Sequence, residues 1–99
     1  MLDIVYEDEI CICFKDIMPV APVHLLLVPK KCIQRLSDAT ASDSELLGHL
    51  MSKVGVIAKL QGIDDAFRVV VNNGACACQT VFHLHLHITA GWWWSKCAL

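Results

Sequence analysis

The 99-residue chain contains no run of 18 or more apolar residues, so the sequence predicts no membrane span. It also lacks an excess of basic residues: the net charge of −2 and the pI near 6.2 argue against a protein that binds nucleic acid through a basic face. The amino terminus, which begins at Met1, lacks the basic and apolar regions of a signal peptide. These absences favour a protein of the cytoplasm or the nucleus.

Cysteine, in contrast, is plentiful. Six cysteines in a short secreted chain would suggest disulfide bonds, but nothing here directs secretion. The pairs Cys11-x-Cys13 and Cys76-x-Cys78 have neither zinc-finger nor thioredoxin spacing. In an extended segment the two thiols of each pair would share one face, which suits neither a bridge nor a tetrahedral metal site. We therefore expect free thiols in a reducing, intracellular compartment.

The apolar periodicity predicts an α+β fold, with residues 1–99 forming a single domain without internal repeats or linkers. One main helix is predicted over about residues 42–61, because apolar residues recur at helical spacing, Ser42 and Glu45 match a capping box, and Gly62 is a natural stop. The simplest assembly is an antiparallel sheet of about five strands with this helix on one face. The strand candidates are Ile4–Tyr6, Ile10–Phe14, Val23–Val28, Phe67–Val71 and Val81–Ile88.

The segment FHLHLHI, residues 82–88, carries a histidine at every second position: His83, His85 and His87. Leucine and isoleucine alternate with them, so a strand here would present one apolar face and one face of imidazoles. Three explanations are open at this point. The segment is the polar face of an exposed strand, a metal site, or a covalent catalyst.

Strand geometry disfavours a metal site that uses all three imidazoles. In a strand the Cβ atoms of His83 and His87 lie about 13 Å apart. An imidazole bonded to zinc holds the ion within about 5.5 Å of its own Cβ, so two imidazoles together span about 11 Å. One ion can take two of the three histidines, with a third ligand from elsewhere, but not the whole triad.

A covalent catalyst uses this spacing better. A central His85 can face an electrophilic phosphorus while its neighbours reach the non-bridging oxygens and the leaving group. Neutral imidazole is a nucleophile and imidazolium a proton donor, and the two forms interchange near neutral pH. Phosphoryl chemistry needs mainly positioning and compensation of oxygen charge. Nearby polar groups for that purpose are Asn72, Gln79 and Thr80.

The triad, together with three longer segments, resembles the histidine-triad nucleotide-binding proteins. FKDIMPVAPVHLLLVPKK at residues 14–31, ELLGHLMSKVG at 45–55 and FRVVVNNG at 67–74 are each similar to a segment of that family. The resemblance covers residues 4 to about 90 and favours the Hint branch of small phosphoramidases.

This resemblance implies a fold, an assembly and an activity. Members of the family have an antiparallel sheet with helices, and two protomers join into a ten-stranded homodimer. They bind purine nucleoside monophosphates and hydrolyse nucleoside phosphoramidates through a nucleotidyl-histidine intermediate. By position, His85 is similar to the nucleophile, His87 to the residue that contacts phosphate and assists the leaving group, and His83 to the residue that orients the nucleophile.

The same resemblance implies a nucleotide-binding set. Asp16 matches the carboxylate that holds the ribose hydroxyls, and Ile17 and Phe14 lie near the base. His24 matches a histidine behind the triad. The phosphate-side polar residues are Asn72, Gln79 and Thr80.

The chain departs from the family in four places. Ala77 and Cys78 stand where glycines let the backbone approach phosphate closely. Cys32 replaces a histidine that joins an upstream Cys-x-x-Cys in zinc-bearing relatives, and no such pair is present, so neither a metal nor another cofactor is expected. The family's first strand and short helix are not represented. Residues 91–99 form a divergent tail, in which at least one of Trp92, Trp93 and Trp94 is expected to be exposed or at an interface.

Two function classes are therefore open. The three histidines of the triad, with Asp16 and Asn72, favour a nucleoside phosphoramidate hydrolase. The altered loop and the altered ends favour a nucleotide-binding or protein-interaction module with weak or no turnover.

Overall fold

The computed structural model describes residues 2–91. Within them it shows a five-stranded sheet and one main helix, α1 (Ser44–Leu60), which confirms the predicted α+β class. The tryptophans of the tail lie outside the described residues. The strands are β1 (Ile4–Glu7), β2 (Cys11–Lys15), β3 (Val23–Pro29), β4 (Arg68–Val70) and β5 (Leu86–Ala90), and short 3₁₀ helices cover Leu36–Asp38, Ala41–Asp43 and Ala75–Ala77.

The sheet has the order β1-β2-β3-β5-β4, and every neighbouring pair is antiparallel. The last strand in the sequence, β5, thus lies between β3 and β4. This long-range pairing sets His24 beside Thr89 and Leu26 beside His87. Histidines that are 63 residues apart in sequence consequently share one face of the sheet.

Helix α1 covers the opposite face. Its buried side chains Leu50, Val54 and Ile57 form one core cluster with apolar side chains of the central strands, among them Leu27 and Ile88. Burying one such side chain stabilises a fold by about 1.5–3 kcal/mol. The core therefore holds β3 and β5 in a fixed register, and with them the histidines on the other face.

The predicted capping box of α1 is wrong, although the helix itself is confirmed. The N-cap is Asp43, and the carboxylate Oδ2 of Asp43 accepts the Thr40 N–H at 2.9 Å. A 3₁₀ turn occupies residues 41–43, so the Ser42 hydroxyl pairs with the Thr40 hydroxyl at 2.7 Å and does not cap the helix. The Ser42 side chain is therefore used within the 3₁₀ turn that precedes the helix.

The predicted stop of α1 at Gly62 is confirmed. Gly62 has φ of 71°, which glycine adopts without steric cost. Its N–H donates to the Lys59 carbonyl at 3.1 Å, and the Ile63 N–H donates to the Ala58 carbonyl at 2.9 Å. These two bonds form a Schellman motif, which satisfies carbonyls at the end of the helix.

The last strand was predicted at residues 81–88 but runs from Leu86 to Ala90. Leu84 is buried, and its N–H donates to the Ile33 carbonyl at 2.6 Å, outside the sheet ladder. The period-2 burial pattern therefore starts before the strand does. Periodicity reports which side chains face a core, whereas a strand also requires ladder partners, and these begin at Leu86.

The cysteine pairs have different conformations. Cys11 and Cys13 are buried on one face of β2, as expected for an extended segment. Cys76 and Cys78 lie in and directly after the 3₁₀ turn Ala75–Ala77, so the expectation of an extended conformation is wrong for that pair. The five cysteines within residues 2–91 are free thiols.

Candidate active site

His87 and His24 form a direct hydrogen bond. His87 lies on β5 and His24 on β3, with His24 Nε2 and His87 Nδ1 2.9 Å apart. The Val20 N–H donates to His24 Nδ1 at 3.1 Å, so that nitrogen must be an acceptor. His24 therefore carries its proton on Nε2 and donates to His87 Nδ1. The network in turn assigns the proton of a neutral His87 to Nε2.

His85 has the opposite tautomer. Its Nδ1 lies 2.7 Å from the backbone carbonyl of His83, which can only accept a hydrogen bond. The proton of a neutral His85 therefore resides on Nδ1, and Nε2 carries a lone pair. The rings of His85 and His87 meet edge to face with centroids 5.0 Å apart. A lone pair on one imidazole thus lies beside an N–H donor on the other ring.

His83 has a separate partner. Its Nε2 donates to the Pro29 carbonyl at 2.8 Å, which fixes the ring at the end of β3. The predicted alternation is present over residues 83–88, where part-buried histidines alternate with buried Leu84, Leu86 and Ile88, but the three histidines do not all lie in one strand. Only His87 belongs to β5, and the backbone of the other two precedes the ladder.

The electrostatics keep His87 neutral in the free protein. Burial lowers the pKa of His87, and the neighbouring imidazoles of His85 and His24 lower it further, while the Asp16 carboxylate acts in the opposite direction. The neutral ring agrees with the tautomer that the hydrogen bonds assign. An anion bound beside the ring would favour protonation and so move the pKa back up.

Asp16 lies directly after β2. Its Oδ1 accepts the Met18 N–H at 2.9 Å, and its Oδ2 lies 3.4 Å from His24 Nε2. Asp16 is thus both the turn residue that its position suggests and a neighbour of the histidine chain. An ionised carboxylate has further lone pairs, so these contacts leave it able to accept hydroxyl groups.

Of the two residues predicted near a base, Phe14 lies on the histidine side of the sheet. Phe14 on β2 is half-buried and pairs with Leu26 on β3, which in turn pairs with His87. Ile17 is 82% exposed. A flat apolar ligand on Phe14 and Leu26 would lie next to the imidazoles.

The loop before the triad is held by Gln79. This side chain is 3% exposed, its Oε1 accepts the Gly74 N–H at 2.7 Å, and its amide nitrogen donates to the carbonyls of Gln34 and Val81 at 2.7 and 3.0 Å. The amide therefore points into the protein and braces the loop. Thr80, the next residue, is exposed.

A cavity of about 330 Å³ opens beside His87. Three of the predicted site residues line it, His24, Asn72 and His87. It also includes Arg68, a cation that the sequence analysis missed. The signal available in the sequence was the spacing of Arg68 and Val70, which a strand places on one face. In the structure Arg68 pairs with Thr89 and Val70 with His87. The complete lining is Val20, His24, Arg68, Val70, Asn72, His87 and Thr89.

Comparison with known proteins gives the family of this arrangement. The model of the HIT domain matches residues 2–92. The chain belongs to the HIT family. An uncharacterized HIT-like protein from Synechocystis sp. is 59% identical over 88 residues, which are 89% of this chain and 77% of the relative.

Solved HIT structures share the fold. A HIT family hydrolase from Clostridium thermocellum has a TM-score of 0.93 and 36% identity, with 100% of this chain and 87% of that one covered. A hypothetical histidine triad nucleotide-binding protein from Sulfolobus tokodaii has a TM-score of 0.80 and 33% identity, with 93% and 62% covered. The sheet order and the helix described above are thus those of the HIT fold.

The HIT domain of this chain has one non-glycine residue with positive φ within residues 2–91. Cys78, which follows the 3₁₀ turn Ala75–Ala77, has φ of 69°. The left-handed conformation costs a residue with a Cβ on the order of 1–2 kcal/mol. The backbone at Cys78 therefore has a conformation that suits glycine.

The same HIT domain offers one set of metal donors near the triad. Donor atoms of Asp16, His24 and His87 all lie within 4.8 Å of one another. His24 Nε2 and His87 Nδ1 already share a hydrogen bond, so a cation there would displace the proton on His24 Nε2.

None of the helices within residues 2–91 is long and apolar enough to cross a membrane.

Proposed function

We propose that this HIT protein is a purine nucleotide-binding hydrolase of the Hint type, which cleaves nucleoside phosphoramidates through a nucleotidyl-His85 intermediate. The observation that carries the proposal is the pair of opposite tautomers. His85 presents a lone pair on Nε2, and His87, with its ring centroid 5.0 Å away, presents an N–H. A nucleophile and a proton donor are both needed to exchange a P–N bond for a bond to histidine.

In the first step the lone pair of His85 Nε2 attacks phosphorus and the P–N bond breaks with its electrons on nitrogen. The bound phosphoramidate anion favours imidazolium at His87. Nδ1 takes a proton from solvent while the His24 Nε2–H turns to the Asp16 carboxylate 3.4 Å away, and His87 Nε2 passes its own proton to the leaving amine. His87 is then neutral, with its proton on Nδ1 and a lone pair on Nε2. The nucleotide is bonded to His85, whose Nδ1–H still donates to the His83 carbonyl.

In the second step water attacks the same phosphorus and the bond to His85 Nε2 breaks. His87 Nε2 accepts a proton from that water, because a general acid of one step serves as the base of its reverse. The nucleoside monophosphate is released, His85 regains its lone pair, and His87 returns its Nδ1 proton to solvent. His24 acts as a positioning residue, since its hydrogen bond to Nδ1 sets which nitrogen of His87 faces the reaction.

The surroundings support a nucleotide as the substrate. We assign the ribose hydroxyls to Asp16 and the base to the apolar surface of Phe14 and Ile17. Asn72 and Thr80 are the side-chain candidates for the phosphate. Gln79 would act indirectly, because its amide holds the loop in place.

Hydrolysis of adenosine 5′-phosphoramidate, with AMP binding measured alongside, tests this proposal. We expect release of ammonia and AMP. Binding of AMP without any hydrolysis would contradict the proposal and favour the alternative, a nucleotide-binding module without turnover. The positive φ of Cys78, in the loop before the triad, is the observation that supports this alternative.

We also propose that two copies join along β4. This strand is an end of the sheet formed by residues 2–91, so a second copy there would extend the sheet to ten strands. Close to it lies an apolar cavity of about 240 Å³, and exposed apolar groups such as Met51 contribute to its lining. Its lining residues are Leu36, Leu47, Leu50, Met51, Val71, Leu84 and Leu86.

Met51→Glu should convert a dimer into monomers, because it would place a charge in an apolar interface. Met51, near the middle of α1, is 58% exposed in the single chain, and Leu60, the last residue of α1, is 62% exposed. Light scattering should give the mass of two chains for the wild type and for Leu60→Glu, and of one chain for Met51→Glu. A dimer that survives Met51→Glu would contradict this interface.

An intracellular location stays a prediction. The free cysteines within residues 2–91 support the proposal that the protein acts in a reducing compartment.

A further inference from the structure

Three donor side chains meet on the other side of the sheet from His24 and His87. Asp8 lies in the turn between β1 and β2, Cys11 is the first residue of β2, and His49 lies on α1. The carboxylate Oδ2 of Asp8 is 2.7 Å from His49 Nε2 and 3.6 Å from Cys11 Sγ. All three donor atoms lie within 4.8 Å of one another. This cluster is outside the site proposed for hydrolysis.

We propose that Asp8, Cys11 and His49 bind a divalent transition-metal ion of the zinc class. Tetrahedral bonds of about 2.0 Å to nitrogen and oxygen and about 2.3 Å to sulfur place ligand atoms about 3.3–3.6 Å apart. The sulfur-to-oxygen distance already has this value. The imidazole must retreat from the carboxylate by about 0.6 Å, which the partly exposed His49 side chain allows.

The carboxylate is already oriented for a metal ion. Its Oδ1 accepts the N–H groups of Ile10 and Cys11, both at 2.8 Å, and the Tyr6 hydroxyl donates to Oδ2 at 2.8 Å. Hydrogen bonds of this kind fix the ligands of metal sites and are worth a factor of about 10–100 in affinity. The Asp8 carboxylate therefore needs little reorganisation when it binds a metal ion.

The donor types select the ion. A thiolate, an imidazole and a carboxylate together suit zinc and its neighbours, whereas Mg²⁺ and Ca²⁺ take oxygen ligands. On binding, the Cys11 thiol proton is released to solvent and the single proton of His49 moves to Nδ1, so that Nε2 can bond the ion. Three protein ligands leave a fourth position for water.

This site differs from the one considered in the sequence analysis. That expectation concerned a Cys-x-x-Cys with a histidine at the position of Cys32, and those ligands are absent. The cluster here joins the β1–β2 turn to α1. A bound ion would thus clamp the first hairpin against the helix and raise the melting temperature.

Cobalt(II) titration of the full-length, metal-free protein tests the proposal. We expect one equivalent to produce a near-ultraviolet thiolate-to-cobalt charge-transfer band, which one equivalent of Zn²⁺ abolishes by competition. Cys11→Ser changes a single atom and should remove the band. His49→Gln should weaken binding by at least about 100-fold, since it removes a ligand rather than a supporting group.

The controls separate this site from the thiols of Cys32, Cys76, Cys78 and Cys97 and from the donor set that contains His24. The band should persist in Cys32→Ser, in Cys97→Ser, in the double variant Cys76→Ser/Cys78→Ser and in His24→Asn. Circular dichroism establishes that each variant is folded. If Cys11→Ser does not fold, His49→Gln still tests the site. A wild type without the band, or a band that is unchanged in folded Cys11→Ser or His49→Gln, would overturn the proposal.

Discussion

His85→Ala should lose hydrolysis of adenosine 5′-phosphoramidate by a factor on the order of 10⁴ or more in kcat, as expected when a nucleophile is removed. The loss follows from the free lone pair on His85 Nε2, which no neighbouring group replaces in the proposed reaction. The bond from Nδ1 to the His83 carbonyl fixes that lone pair in place. Steady-state kinetics of the purified variant measures the effect.

Two controls accompany His85→Ala. The variant should bind AMP within a few-fold of the wild type, because the groups assigned to the base and ribose are unchanged. The smaller variant His85→Gly should regain part of its turnover when free imidazole is added. Unimpaired turnover by folded His85→Ala would rule out His85 as the nucleophile.

His87→Gln should lower kcat by about 10²–10⁴ for an alkylamine leaving group, the range that a positioned acid supplies. Glutamine keeps an N–H near the leaving nitrogen but cannot transfer its proton. The loss should therefore shrink for aromatic amines, which leave more readily without protonation. Rates for a series of leaving groups of graded basicity measure this dependence in both proteins.

A uniform loss across the series would contradict the role of His87 as a proton donor. It would indicate instead that His87 mainly positions the phosphate. His24→Asn offers a comparison, because it removes the hydrogen bond that sets the tautomer of His87 and leaves the His87 ring itself in place. It should give the same trend as His87→Gln with a smaller loss.

Much of the fold was predictable because its signals are local. Period-2 and period-3.6 apolar patterns located the five strands and α1, and Gly62 marked the end of the helix. The two larger errors at element boundaries have one cause. In both places a residue bonds to a partner that the local pattern does not include. The Ser42 hydroxyl pairs with Thr40 and does not cap the helix, and the Leu84 N–H donates to the Ile33 carbonyl and not to a strand.

The structure brings together three histidines that the sequence analysis named, His24, His85 and His87, but their protonation could not be predicted from the sequence. The triad was evident from its spacing, whereas the tautomers depend on the Val20 N–H and on backbone carbonyls that only the folded chain brings near. The inward orientation of Gln79 and the position of Arg68 in the cavity likewise follow from tertiary contacts. Asp8 and His49, which are 41 residues apart, gave no joint signal in the sequence.

The central claim is that phosphorus is transferred twice, first to His85 and then to water. Stereochemistry tests it directly, whether or not the intermediate accumulates. Hydrolysis of a single diastereomer of adenosine 5′-phosphorothioamidate in ¹⁸O-labelled water should give a chiral product with net retention, because two in-line displacements each invert phosphorus. Net inversion would show one direct attack by water and would contradict the nucleotidyl-His85 intermediate.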